Sequence, residues 1–226
     1  MREKKKGDSP LFQGSLSAPF QEHEVEEYER KRYRGLDQRL VHRRETKILK
    51  KILQKVGSTS LRALDVPCGY GRFSDLILDK DFSLVSSDIS FSMVKRAREK
   101  SSHPDRPLAV IADVKKGLPF KQGVFGLLFS IRFFHHVHEK QERELILEEF
   151  SRITSQWTVL SFYRMNFLHF LQRKLRRKVK KSKTRIKMIS GKDFENEVER
   201  AGYEIVKIYP LFRGIHSHHI ALLRKG

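Results

Sequence analysis

The middle of the chain alternates short apolar runs with segments of helical periodicity, and this alternation limits the folds it can adopt. Runs of this length, bounded by turn residues, are typical of strands buried on both faces of a sheet. Helical segments between such strands favour parallel pairing. The sequence therefore predicts an α/β fold with a doubly wound, mostly parallel sheet. The predicted strands are Arg62–Val66, Ser83–Ser87, Leu108–Ala112, Phe125–Phe129 and Thr158–Phe162, and the helices between them are Arg72–Leu78, Ser92–Lys100 and Lys140–Arg152.

A helical pattern precedes this region. Between Glu22 and Val56, apolar residues recur at spacings of three, four and seven, which predicts one buried helix face. Gly57 is expected to end the helix. Residues 1–20 carry Ser, Gly, Pro and charges without periodicity, so we expect a disordered tail followed by one domain over residues 21–226.

Another helix and two strands are predicted at the C-terminal end. The helix spans Lys192–Ala201, with Ser190 and Asp193 placed as a capping pair and Gly202 at its end. Tyr203–Leu211 and Ser217–Leu223 have the pattern of two strands joined by a turn. These elements would extend the sheet beyond its parallel part.

Composition narrows the class of protein. The 226 residues suit one domain, and no apolar run approaches the roughly 20 residues that a membrane-spanning helix needs. The basic start lacks the apolar stretch of a secretory signal. Cys68 is the only cysteine, so an internal disulfide is impossible, and a cytoplasmic location is expected. The oligomeric state does not follow from the sequence.

A glycine-containing loop comes after the first predicted strand. Gly69 and Gly71 lack Cβ, so the backbone can turn tightly and approach a ligand. The next helix offers N–H groups and a positive dipole end. Pro67 fixes its own φ and has no N–H, so ligand contacts are expected from later N–H groups of the loop. Many nucleotide-binding proteins share such a loop.

Carboxylates lie just after the next two strands. Asp88 lies 17 positions after Gly71, where an acidic residue can accept hydrogen bonds from ribose hydroxyls. The alternative is that Asp88 caps the next helix. Asp113 comes after the third strand at the same edge, where it could accept a hydrogen bond from the exocyclic amine of adenine. A nucleoside-containing ligand is therefore predicted.

Taken in order, these motifs resemble those of class I S-adenosylmethionine-dependent methyltransferases, of the small-molecule, ubiquinone-biosynthesis-like type with a histidine pair after the fourth strand. The resemblance covers about Arg39 to Phe162, and the last two strands more loosely. It implies a seven-stranded sheet with an antiparallel last strand. It also implies S-adenosylmethionine as cofactor and S-adenosylhomocysteine as product. The motifs are Asp65-x-x-x-Gly69-x-Gly71, Ser87-Asp88-Ile-Ser90-x-x-Met93, Ala112-Asp113 with Leu118-Pro119-Phe120, Phe125 to Ser130, and His135-His136.

The resemblance assigns roles to residues. The loop of Gly69 and Gly71 would hold the methionine part of the cofactor, Asp88 the ribose and Asp113 the adenine. Tyr33 and Arg34 are candidates for closing over the cofactor and for contacting substrate. The remaining candidate cofactor-binding residues are Asp65, Cys68, Ile89, Met93, Val114, Ser130 and His135.

The segment after the fourth strand constrains the acceptor. Methyltransferases of base amino groups usually carry an Asn/Asp-Pro-Pro-aromatic loop there, whereas this chain has Ser130-Ile-Arg-Phe-Phe-His-His136. Methylation at C5 of a pyrimidine needs a cysteine nucleophile, and Cys68 lies in the cofactor loop, where packing is its expected role. Both nucleobase chemistries are disfavoured.

Histidines and an arginine are the candidates for acceptor chemistry. His135 or His136 could take the proton of the acceptor; alternatively, one packs against the cofactor or caps a helix. Arg132 could bind an anionic substrate or pair with a nearby carboxylate. His216, His218 and His219 lie on a predicted strand whose successive residues face opposite sides, so no metal site is predicted.

The net charge of +20 is concentrated in one segment. No acidic residue lies between Met165 and Gly191, and a leucine-rich face opposite the charges predicts a basic amphipathic helical insertion at about residues 164–188. Three roles remain open: a lid over the substrate, docking on an anionic membrane surface, or RNA binding. The basic residues are Arg173, Lys174, Arg176, Arg177, Lys178, Lys180, Lys181, Lys183, Arg185 and Lys187.

The sequence supports three hypotheses for function. The first is methyl transfer to a small or lipid-linked acceptor, by a cytoplasmic protein that can attach peripherally to a membrane. The second is an RNA methyltransferase that holds RNA with residues 173–187. The third is a non-catalytic cofactor-binding module that docks on an anionic partner. The cofactor-site residues Gly69, Gly71, Asp88 and Asp113 favour an enzyme over a silent module.

Overall fold

A computed structural model describes residues 22–32, 35–57, 61–165, 187–212 and 217–226. Helices and strands alternate through the middle of the chain, as predicted. The helices of these residues are α1 (Glu22–Arg32), α2 (Leu36–Val56), α3 (Ser74–Leu78), α4 (Phe91–Lys100), α5 (Lys140–Ile153) and α6 (Gly191–Arg200). The strands are β1 (Arg62–Asp65), β2 (Ser83–Asp88), β3 (Leu108–Ile111), β4 (Phe125–Ser130), β5 (Thr154–Tyr163), β6 (Tyr203–Pro210) and β7 (His218–Lys225).

These seven strands form one sheet in the order β3-β2-β1-β4-β5-β7-β6. The first five strands are parallel to one another, and β7 inserts antiparallel between β5 and β6. The α/β fold with an antiparallel last strand is therefore confirmed. Because β1 lies between β2 and β4, the winding direction reverses there, and the carboxyl ends of these strands border a crevice suited to a ligand.

Some boundaries differ from those predicted. The leading helical region consists of two helices, because Gly35 adopts an extended conformation before α2. Strand β5 starts at Thr154 rather than Thr158 and pairs with both β4 and β7. The helix after the glycine loop starts at Ser74 rather than Arg72, since the loop continues as turns. The ends of such strands are determined by pairing with neighbouring strands, whereas the prediction used only the local sequence pattern.

Apolar side chains cover both faces of the sheet. On one face, α2 buries Leu49, Ile52 and Leu53 against β1 and β4, as its periodicity predicts. On the other face, α5 and α6 pack against the sheet around Phe150 and Phe194. The central strands are buried between these two layers, so their carboxyl ends are the place where polar side chains can reach a ligand.

Two predicted features of the C-terminal region are confirmed. The hydroxyl of Ser190 accepts a hydrogen bond from the N–H of Asp193 at 3.0 Å and caps α6. Gly202 comes after the helix with φ of +80°, a conformation that glycine adopts without steric cost. The chain then forms the antiparallel pair of β6 and β7.

Several predictions fall wholly or partly outside the described residues. The tail at residues 1–20 is one, and Tyr33 and Arg34 are others. Most of the basic insertion, residues 166–186, is also outside. Among the described helices, none is long and apolar enough to cross a membrane.

Candidate cofactor and acceptor site

The loop after β1 is held by the end of β2. The N–H of Cys68 donates to the carbonyl oxygen of Ser87 at 2.9 Å, and the N–H of Gly69 donates to Asp88 Oδ2 at 3.0 Å. Asp88 Oδ1 accepts from the N–H of Ser90 at 3.0 Å. The carboxylate of Asp88 therefore fixes the glycine loop directly, a contact that sequence spacing alone did not reveal.

Asp88 does not cap the next helix. The cap of α4 is Ser90, whose hydroxyl accepts from the N–H of Met93 at 3.4 Å. Burial raises the pKa of Asp88 above its usual range, against hydrogen bonds from Ser90, Gly69 and Ile89 that lower it. An ionised carboxylate has about four acceptor positions, so Asp88 can hold the loop and still accept a ribose hydroxyl.

The two glycines of the loop have different roles. Both have positive φ, +53° at Gly69 and +72° at Gly71. A Cβ at Gly69 would meet no atom within 4 Å, so this residue faces open space where a ligand can approach. A Cβ at Gly71 would lie 2.7 Å from the Cα of Ala97. Gly71 is therefore needed for close packing of the loop on α4.

A second buried carboxyl group lies at the end of β1. Burial, reinforced by the nearby charge of Asp88, raises the pKa of Asp65 to about 8. Asp65 is therefore largely neutral at pH 7. Burial also raises the pKa of the Cys68 thiol well above its usual range, and its side chain packs with Val94 and Ala97. Cys68 thus fills space, as predicted, rather than presenting a reactive thiolate.

The remaining candidate cofactor residues differ in exposure. Ile89 is partly exposed beside Asp88, and the carboxylate of Asp113 accepts from the N–H of Lys115 at 3.0 Å. Val114 is buried in the core, while Met93 packs with Val25 of α1 and with Tyr70. Helix α1 therefore covers the glycine loop, a contact that the sequence did not predict.

The carboxyl ends of β4 and β5 lie beside the glycine loop, residues 66–73, which is the predicted donor loop. Ser130 ends β4, and its buried hydroxyl has no hydrogen-bond partner among the described residues. The ring of His135 lies 4.0 Å from that of His136 and 4.8 Å from that of Tyr163, centroid to centroid. His218, which begins β7, stacks on Tyr163 at 4.8 Å. Aromatic rings thus line the side where an acceptor would lie.

The other polar residues have contacts that bear on their predicted roles. Arg132 pairs with a carboxylate, since its Nε lies 2.6 Å from Glu45 Oε1. His218 and His219 contact opposite sides of the sheet: His218 stacks on Tyr163, and His219 lies against Phe162. This alternation is as predicted for His218 and His219, and His216 lies outside the described residues. No group of three or more potential metal ligands occurs in the described part of the chain.

The ends of the basic insertion meet at this site. The N–H of Met165 donates to the carbonyl oxygen of Ile189 at 2.8 Å, and the N–H of Lys187 donates to that of His135 at 3.1 Å. The insertion therefore leaves and rejoins the domain beside the histidine pair. The sequence predicted its place after β5 but not its contact with His135.

Comparison with known proteins agrees with this geometry. Residues 64–161, which run from β1 to β5 and include the whole donor loop, match a family model described as a methyltransferase domain. Over these residues the chain is therefore similar to a methyltransferase domain. The cofactor is S-adenosylmethionine. The open space at Gly69 and the buried, unpartnered hydroxyl of Ser130 fit a ligand of this kind.

Curated relatives match part of this chain. A Bos taurus 18S rRNA (guanine-N(7))-methyltransferase is 34% identical over 68 residues, which are 30% of this chain and 23% of that protein. A malonyl-[acyl-carrier protein] O-methyltransferase of Hamiltonella defensa is 30% identical over 113 residues, which are 50% of this chain and 41% of that protein. The matches thus span less than half the length of either relative.

A solved structure is similar over most of its length. Magnesium protoporphyrin IX methyltransferase from Synechocystis, with bound S-adenosylhomocysteine (SAH), superposes with a TM-score of 0.72 at 15% identity. The superposition covers 85% of this chain and 88% of that one. At this identity the likeness shows the fold.

Proposed function

We propose that this chain transfers a methyl group from S-adenosylmethionine to a small-molecule or lipid-linked acceptor. The observation that carries the proposal is the placement of two groups at one edge of the sheet. The donor loop, with Gly69 and Asp88, lies beside the aromatic and histidine residues that come after β4 and β5. Donor and acceptor would meet between them.

When bound, S-adenosylmethionine supplies a methyl group activated by its sulfonium. The protein has to align the acceptor with that methyl group and to remove the acceptor's proton. His135 is 7% exposed and packs against Tyr163, whereas His136 is partly exposed. His136 is therefore the better candidate for the group that accepts the proton. His135 is the better candidate for holding His136 in place.

The site also bears on acceptor chemistry. The buried thiol of Cys68 packs against α4 and is no nucleophile for pyrimidine C5. An aromatic wall of His135, Tyr163 and His218 suits a planar or apolar acceptor. The basic insertion rejoins the domain at Lys187, beside His135. By charge alone, the cations of the insertion would attract an anionic acceptor or lipid surface.

RNA is the second candidate acceptor. The formal charge of +20 and the ten cations of the insertion favour a polyanion. A relative that matches 30% of this chain is named as an rRNA methyltransferase. RNA is the less favoured acceptor because no aromatic residue that could stack on bases lies between Gln172 and Lys187.

A labelled-donor assay separates these candidates. The purified chain would be incubated with S-adenosylmethionine carrying a tritiated methyl group, together with a cellular lipid extract, a small-molecule extract or total RNA. We expect label in the lipid or small-molecule fraction, and loss of it in His136→Gln. Label in RNA alone would favour the second candidate. Absence of donor binding by calorimetry at millimolar ligand would contradict both candidates. Donor binding without label in any fraction would support the non-catalytic cofactor-binding module.

A further inference from the structure

A buried carboxylate on α2 lies between the donor loop and the acceptor side. Glu45 is fully buried. It pairs with Arg72, and its Oε1 lies 2.6 Å from Arg132 Nε and 3.4 Å from His218 Nδ1. Nothing in the sequence pattern marks Glu45, because it occupies one helical position among many charged neighbours.

The partners of Glu45 belong to different parts of the site. Arg72 comes directly after Gly71 in the donor loop. Arg132 lies two residues beyond the end of β4, and His218 stacks on Tyr163. One carboxylate from a helix outside the sheet therefore contacts both the loop that takes the cofactor and the residues that face the acceptor.

The backbone at Arg132 adds a second observation. Arg132 has φ of +61°, in the left-handed region that non-glycine residues rarely adopt. Its N–H donates to the hydroxyl of Ser161 at 2.6 Å, and its side chain is held by Glu45. Such conformations persist where the surroundings hold them, and they are concentrated at functional sites.

We propose that Glu45 is a positioning residue that couples the donor loop to the acceptor side. By holding Arg72 and Arg132 together, it links the conformation that binds S-adenosylmethionine to the conformation of the loop after β4. The proposal rests on the proposed function, since it assigns the two sides of that site. It does not require Glu45 to touch either ligand.

A simple stabilising role makes a different prediction. A buried ion pair often contributes little net stability, and loss of one partner lowers stability wherever the pair lies. If Glu45 has a positioning role, substitution of Glu45 or of its partners changes ligand affinity as well, even where the substituted residue lies away from the donor loop. Affinity for SAH, measured apart from stability, therefore distinguishes the two roles.

The test is a double-mutant cycle on SAH affinity, measured by calorimetry with thermal unfolding of each ligand-free variant. We expect Glu45→Gln to weaken SAH binding about tenfold and Arg132→Gln several-fold, with the double variant less affected than the product of the two. Glu45→Asp, which keeps the charge, should recover part of the affinity. Tyr203→Phe removes a buried hydrogen bond to Thr158 at the opposite edge of the sheet and should leave SAH affinity unchanged.

The outcomes separate the two proposals. If the unaltered chain binds no SAH, the proposed function fails. If it binds SAH and Glu45→Gln binds equally well, or loses stability alone, the positioning role is wrong while the proposed function stands. Should Glu45→Gln not fold, Arg132→Gln decides: unchanged SAH affinity overturns the coupling.

Discussion

Asp88 and Gly69 are joined by a hydrogen bond of 3.0 Å, from the N–H of the glycine to Oδ2 of the carboxylate. The bond connects the end of β2 to the loop after β1, so it sets the shape of the donor loop before a ligand arrives. The same carboxylate is the predicted partner of the ribose. We therefore expect donor binding and loop geometry to depend on one side chain.

Asp88→Asn is expected to weaken SAH binding at least about tenfold, or about 1.4 kcal/mol. An amide has one oxygen and one NH₂ group, so its NH₂ would face the N–H of either Gly69 or Ser90. Calorimetric titration with SAH measures the effect. Asp105→Asn, at an exposed position, is the matched control, and equal affinity in both variants would contradict the role of Asp88.

Gly69→Ala and Gly71→Ala should separate affinity from stability. Both place alanine at positive φ, which costs about 1–2 kcal/mol. Only Gly71→Ala adds a clash with the backbone of Ala97, so we expect it to lower the free energy of unfolding further, by about 1–3 kcal/mol. Urea unfolding and SAH titration of both variants check this. Gly69→Ala should lose more affinity than stability, because its Cβ enters the space predicted for the ligand.

Asp65→Asn should change how stability depends on pH. The pKa of Asp65 is raised to about 8 in the folded chain, mainly by burial, so the folded state keeps a proton that the unfolded state has lost. Because the folded state binds this proton more tightly, the free energy of unfolding falls as pH rises from about 4 to 8, by up to about 1.4 kcal/mol per pH unit. Asparagine cannot ionise, so the stability of the Asp65→Asn variant relative to the unaltered chain should grow with pH over that range. Denaturant unfolding at pH 5, 6, 7 and 8 measures the difference, and parallel profiles would show that Asp65 is ionised.

Glu197→Ala is expected to destabilise the chain by about 3–5 kcal/mol, because it leaves a buried guanidinium without its carboxylate. Arg143 of α5 donates to Glu197 of α6 at 2.9 Å from Nε and 2.6 Å from the terminal nitrogen. Chemical denaturation measures the loss. The variant with both Arg143→Met and Glu197→Leu should recover much of the stability, and it would show no recovery if the pair acted through other contacts.

Local patterns predicted the elements that bring the site together. Apolar runs marked the five parallel strands, and the spacing of Gly69, Gly71 and Asp88 indicated a donor site at the carboxyl edge. These features are readable because they depend on residues a few positions apart, or on one strand and the turn after it. The cap of α6 by Ser190 and the glycine after the helix are local in the same sense.

Other features depended on tertiary structure. The sequence leaves two roles open for Arg132, an anionic substrate or a nearby carboxylate as its partner. Only the packing of α2 on the sheet places Glu45, which is 87 residues away in sequence, against Arg132. Likewise, the sequence predicts that Gly71 belongs to the cofactor loop but does not predict its close packing on Ala97. A side chain's partner across the fold depends on how helices pack on the sheet, which no short stretch of sequence encodes.

The sequence by itself thus determined the order of strands and helices along the chain and the position of the glycine loop and of the carboxylates after the next two strands. Periodicity and glycine placement are local properties. Tertiary structure alone decided which charges share a buried site. It brought Glu45, Arg72 and Arg132 together from three elements, and it made Asp65 a neutral acid beside Asp88. Ionisation and ion pairing depend on burial and distance, and both exist only once the chain has folded.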